Sequence, residues 1–104
     1  MPDFLKTREE FDECLKNNEL VVVDFTASWC GPCRMIGPKF AKLSEEHPDV
    51  KFVKVDVDKN SETSEACHIS AMPTFHTYKK GEKLGEIVGA SEQKLKDLIN
   101  ALKA

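Results

Sequence analysis

Leu20-Val21-Val22-Val23-Asp24-Phe25-Thr26-Ala27-Ser28-Trp29-Cys30-Gly31-Pro32-Cys33 is the stretch on which the reading of this chain turns. Its first seven residues are rich in β-branched side chains and almost wholly apolar, the mark of a central strand covered on both faces. A short loop, 27–30, hands the chain to a helix with Ile36, Phe40 and Leu43 at helical spacing. Pro38 lies inside that helix, removes a backbone donor and is expected to kink it. His47-Pro48-Asp49 ends it. Two cysteines, Cys30 and Cys33, therefore stand where a buried strand gives way to a helix.

Working outward, Thr7 and Glu10 form a capping box that opens a helix with Phe11, Cys14 and Leu15 on one face. The segment Asp3 to Lys6 reads as a short edge strand. Downstream, Phe52-Val53-Lys54-Val55-Asp56-Val57 alternates as a second strand, and the polar segment from Asn60 to about Cys67 reads as a short helix. Thr74-Phe75-His76-Thr77-Tyr78 is a third strand, and Lys79-Lys80-Gly81-Glu82 turns it into a hairpin with Leu84 to Val88. Ser91 caps a last helix with Leu95, Leu98, Ile99 and Leu102 on one stripe. Strand, helix and strand up to residue 57 make a βαβ unit, hence parallel pairing, while the hairpin is antiparallel. The expected architecture is α/β: a mixed central sheet with helices on both faces. There is no repeat, low-complexity segment or linker, so residues 1–104 are expected to form a single domain.

The bulk composition narrows the function. A chain of 104 residues buries about two-thirds of its unfolded surface and needs no disulfide staple to fold. Its 15 basic and 18 acidic residues leave a net charge of −3, and no basic cluster invites nucleic acid or anionic lipid. No apolar run approaches a membrane span, since Leu20 to Phe25 is already broken by Asp24. The N-terminal residues Met1 to Glu10 show neither an apolar core nor a basic region of a targeting sequence, so a cytoplasmic location is expected. A monomer is the default. In such a compartment the four cysteines default to thiols, and a close pair suggests metal or redox chemistry.

The position of Cys30-Gly31-Pro32-Cys33 decides between those two. A helix N-terminus has unpaired N–H donors and positive partial charge, so it stabilises a thiolate and raises its reactive fraction. Gly31 allows close approach of the backbone, and Pro32 fits a first helical turn, where its missing N–H costs nothing. Two intervening residues let the sulfurs bond across one turn. Zinc would want a second spaced pair of ligands. Cys14 and Cys67 are isolated and His47, His68 and His76 lack ligand spacing, so no metal site is expected. A purely structural disulfide closing so small a loop would constrain the unfolded chain little.

Asp24 is the second informative residue. An acid inside a buried strand is costly without a partner or a task. One reading is a structural ion pair with Lys54, itself a lone charge in an apolar strand, or a Lys54 that reaches to water. The other is a carboxylate of raised pKa that takes a proton from Cys33. The residues favour the second for Asp24 and leave Lys54 open between the two.

These residues resemble the thioredoxin family. The run Val22 to Cys33, Pro38, Lys54-Val55-Asp56-Val57-Asp58, Met72-Pro73-Thr74 and Gly89 follow that family's order and spacing across essentially the whole chain. The resemblance implies the thioredoxin fold, with a central mixed five-stranded sheet flanked by four helices and a cis Met72–Pro73 bond. It implies a protein-disulfide reductase with candidate catalytic residues Cys30, Cys33, Asp24 and Lys54. Trp29, Gly31, Pro32, Met72, Pro73 and Gly89 would line a shallow apolar substrate groove. It implies no bound cofactor, electrons arriving from NADPH through a flavin enzyme, thioredoxin reductase. Expected partners are disulfide-containing proteins of the peroxiredoxin, ribonucleotide reductase and methionine sulfoxide reductase types.

One departure stands out. Many animal members carry a cysteine directly before Met-Pro-Thr, where this chain has Ala71. Regulation or dimerisation through that thiol does not carry over. Cys67 reads as an inert helix-end thiol and Cys14 as core. Two competing functions are a non-catalytic module that holds partners in the same groove, disfavoured by the intact Cys pair and Asp24, and an oxidase or isomerase of a secretory compartment, disfavoured by the Gly-Pro dipeptide and the absent signal.

Overall fold

The computed structural model describes residues 1–104. In chain order the elements are β1 (Asp3–Phe4), α1 (Arg8–Asn17), β2 (Leu20–Thr26), α2 (Gly31–Glu46), β3 (Lys51–Asp56), α3 (Ser61–Ala66), β4 (Thr74–Lys79), β5 (Glu82–Val88) and α4 (Glu92–Lys103). The five strands form one sheet in the order β1-β3-β2-β4-β5. β3 pairs parallel with both β1 and β2, whereas β2–β4 and β4–β5 are antiparallel. The mixed sheet and its four helices follow the expectation from sequence.

β2 is central because its side chains feed both faces. Val22 joins Ile36, Phe40 and Leu43 of α2 and Leu95, Ile99 and Leu102 of α4 in one core. Val21, Val23 and Phe25 join Phe11 and Cys14 of α1 in the other. The strict period of two along a strand makes this division. Asp24 shares the parity of Val22 and so points to the α2 side, where only 1% of it is exposed. Cys14 is core, as its place on the apolar face of α1 suggests.

Thr7 caps α1 through its hydroxyl, which accepts from the Glu10 N–H. The reciprocal half of the capping box is displaced by one residue: the Glu10 carboxylate takes the Lys6 N–H rather than that of Thr7. The helix from Asn60 begins at Ser61, with the Asn60 side chain as its cap. It ends in a 6→1 bond from Ile69 N–H to the Ser64 carbonyl and a 5→2 bond from His68 N–H to Glu65. That Schellman arrangement puts His68 at φ 58°, where glycine is the usual occupant. No helix is long and apolar enough to cross a membrane.

Candidate functional site

Cys30 is the N-cap of α2, in extended backbone at φ −87°, ψ 111°. The Cys33 N–H points at its sulfur, 3.3 Å away. Helix geometry thus supplies a backbone donor to Cys30 Sγ, the interaction that favours a thiolate once the pair is reduced. Cys30 and Cys33 are joined in a disulfide, with Cα atoms 5.3 Å apart. Both are buried and cluster with Ala27, against which Val57 and Met72 pack.

The loop before β4 reaches this pair from across the sheet. The Met72–Pro73 bond is cis, and the Met72 carbonyl oxygen lies 3.8 Å from Cys30 Sγ. Gly89, at φ 105°, donates its N–H to the Pro73 carbonyl at 2.8 Å. A side chain at that φ would be strained, so glycine is what lets the end of β5 close on the loop. Met72 is half-buried and Pro73 is buried. The expected groove wall therefore presents Met72, while Pro73 lies beneath the surface. Gly31 and Pro32 are exposed at the start of α2.

Trp29 is 64% exposed, yet it is held. Its indole N–H donates to Asp58 Oδ2 at 2.8 Å, and the Arg34 guanidinium donates to the carbonyl of the preceding Ser28 at 2.9 Å. Asp58 stands in one of the motifs that carry the family resemblance, but nothing in the sequence pairs it with Trp29, and Arg34 carries no signal at all. Only the fold brings the end of β3 beside the loop of β2.

Asp24 has neither carboxylate oxygen hydrogen-bonded within the protein. Burial pushes its pKa up to about 7, against a smaller opposing pull from Lys54. Lys54 is its register partner on β3, but no ion pair forms. The Lys54 ammonium sits instead over the Phe4 ring, 4.8 Å from its centroid. The structural ion pair weighed for these residues is therefore absent. A cleft of about 870 Å³ between α2, β1 and β3 is lined by Cys33 and Lys54 among others. Trp29, Gly31, Pro32, Met72, Pro73 and Gly89 lie outside it.

The remaining thiols are unlike the pair. Burial raises the pKa of both Cys14 and Cys67, which lowers their thiolate fraction. Cys67 is half-buried, with Sγ 3.7 Å from the Tyr78 hydroxyl. That hydroxyl also meets His76 Nδ1 at 3.4 Å, and His76 Nε2 faces Glu86 at 3.4 Å. No group of three or more His, Cys, Asp or Glu is gathered as a metal would need.

The family model described as Thioredoxin matches residues 4–103. A thioredoxin of Geodia cydonium is 55% identical over 102 residues, covering 95% of this chain and 96% of its own length. A thioredoxin of Homo sapiens is 46% identical over 100 residues, covering 94% and 95%. Among solved structures, thioredoxin from Plasmodium falciparum superposes with a TM-score of 0.93 at 42% identity, covering 95% of this chain and 97% of that one.

Proposed function

The chain belongs to the thioredoxin family and is a thiol–disulfide oxidoreductase, and on that premise we propose that it is a general protein-disulfide reductase of the cytoplasm. The Cys30 thiolate attacks one sulfur of a substrate disulfide, forms a mixed disulfide and releases the first substrate thiol. Cys33, deprotonated by Asp24, then attacks Cys30 Sγ. The Cys30–Cys33 bond forms, the mixed disulfide breaks, and the second substrate thiol leaves. Two electrons have passed from the dithiol to the substrate. NADPH restores the dithiol through the flavin enzyme thioredoxin reductase.

The single observation that carries this reading is Cys30 as N-cap, bonded to Cys33 and 3.8 Å from the Met72 carbonyl. The nucleophile lies beside the backbone of half-buried Met72, where an extended substrate segment can pair. Asp24 suits its role because a carboxyl with a pKa of about 7 accepts and returns a proton near neutrality. Lys54 acts through its charge on Asp24, which it holds lower than burial alone would. Trp29, Gly31, Pro32, Met72, Pro73 and Gly89 form the substrate face. Substrates include peroxiredoxins, ribonucleotide reductase and methionine sulfoxide reductases. One similar chain, at 40% identity and a TM-score of 0.93, comes from a study of how a yeast mitochondrial 1-Cys peroxiredoxin is resolved through glutathione/thioredoxin systems. The chain works as a monomer and binds no prosthetic group.

The test is reduction of insulin disulfides with dithiothreitol as electron source, for wild type and Cys30→Ser. Acceleration by wild type that disappears in the variant supports the reading. A folded wild type that gives no acceleration sinks it and leaves a binding module.

A further inference from the structure

Asp56 closes β3 and is 9% exposed. Its carboxylate makes no ion pair and is engaged by backbone N–H groups instead. Oδ1 accepts the N–H of Asp58 at 2.9 Å and that of Lys59 at 3.2 Å, and its backbone carbonyl accepts the Asn60 N–H at 2.8 Å. This is an Asx turn, in which a side chain takes over the hydrogen bonds that a strand would otherwise make. The turn is anchored at both ends. Val57 N–H bonds to the Thr26 carbonyl at the end of β2, at 2.9 Å, and the Asn60 side chain donates to the Leu5 carbonyl at 3.0 Å.

Asp58 rides on that turn, exposed, and its carboxylate receives the Trp29 indole N–H. A hydrogen bond between two exposed side chains is worth little when either partner must be ordered to make it. It becomes useful when one partner is already fixed, because the ordering cost has been met in folding. Arg34 holds the same loop at Ser28 from α2, so the loop is tethered one residue before Trp29 and at the indole itself.

We infer that Asp56 is a positioning residue for the reaction: it fixes the turn that presents Asp58 to Trp29, and thereby sets the face on which a protein disulfide docks. This rests on the reductase reading of the same site. Asp56 itself touches neither substrate nor sulfur. What it supplies is an acceptor, not a charge.

The acceptor and the charge can be separated. Asp56→Asn keeps a carbonyl oxygen for the two N–H groups and loses the charge; Asp56→Ala loses both. With insulin as substrate, Asp56→Ala is expected to raise KM about fivefold while kcat changes less than about twofold, and Asp56→Asn to stay near wild type. Asp58→Ala, which leaves the turn intact, is expected to repeat the KM rise. Reduction of a small aromatic disulfide, 5,5′-dithiobis(2-nitrobenzoate), should be unchanged in all three, because it needs little docking surface. Trp29 is the only tryptophan, so acrylamide quenching of its fluorescence should increase in Asp56→Ala and Asp58→Ala and not in Asp56→Asn. An unchanged KM in Asp56→Ala, or equal effects of Ala and Asn, would overturn the inference. So would equal loss toward the small disulfide. If wild type itself leaves insulin intact, the reductase reading fails instead, and the quenching result alone decides whether Asp56 orients Trp29. Should Asp56→Ala not fold, Asp58→Ala with Asp56→Asn carries the same decision.

Discussion

Asp24 and Lys54 face one another across β2 and β3 without forming an ion pair, because the Lys54 ammonium lies over the Phe4 ring. Opposite charges in register suit a structural bridge, but desolvating both would offset most of the attraction. The arrangement here leaves the acid buried and without a hydrogen bond, with the cation near enough to temper its pKa and too far to neutralise it. A structural salt bridge would hold the carboxyl ionised; this geometry holds it poised.

Asp24→Asn should therefore slow resolution of the mixed disulfide while leaving the fold intact. The folded pKa of about 7 lies above the ordinary carboxyl value of about 3.9. A raised acid pKa means that the folded state binds the extra proton, so the Asp24 contribution to stability is greatest below about pH 4 and falls as pH rises to about 7. Denaturant melts should find Asp24→Asn more stable than wild type above pH 7 by on the order of 3 kcal/mol, with the gap closing toward pH 4. An equal gap at both ends would show that the carboxyl is not strained by burial.

Lys54→Met keeps an unbranched apolar stem and removes the charge that lies over Phe4. Since Lys54 lowers the Asp24 pKa, the variant should raise it further. Titration of the Asp24 carboxyl carbon by NMR reads this directly, and the pH at which resolution accelerates should move up with it.

His76 works in the opposite sense. Burial depresses its pKa to about 4, below the ordinary value of about 6.5. Here the unfolded state binds the extra proton, so stability is full above about pH 6.5 and is lost as pH falls toward 4. Its window overlaps that of Asp24 with opposite slope, so wild-type stability should vary little between pH 4 and 6.5. Asp24→Asn should expose an acid-side loss of about 2 kcal/mol across that interval, and His76→Gln should expose the reverse slope. Urea melts at three pH values in each variant decide this.

Cys33→Ser should accumulate the Cys30 mixed disulfide with a protein substrate, since attack is intact and resolution is lost. Mass spectrometry of the non-reduced reaction should show the adduct. Recovery of free protein alone would contradict the order of the two thiols.

His68 occupies the left-handed position that closes α3, at φ 58°, and its side chain is exposed. His68→Gly should stabilise the protein by about 0.5–1 kcal/mol, because relief of the Cβ strain exceeds the added unfolded-state freedom. Thermal melting should rise by about 2–5 °C. The same substitution at an ordinary helical position would do the opposite.

Much of this protein can be read from its sequence because the signals are local. The nearly continuous apolar, β-branched run Leu20 to Thr26 and the stripe Leu95, Ile99 and Leu102 each depend only on neighbours a few residues away. The Cys30-Gly31-Pro32-Cys33 run announces its own chemistry through its place between strand and helix. What the tertiary structure alone decides involves residues far apart in the chain. Asp58 reaches Trp29 across 29 positions, the Met72 carbonyl reaches Cys30 across 42, and Gly89 closes on Pro73. The fate of Lys54 belongs with these, since Phe4 on the edge strand captures its ammonium. Local propensity sets which residues form a strand or helix. Sheet order and loop closure determine which polar groups meet, and no periodicity within one segment encodes that.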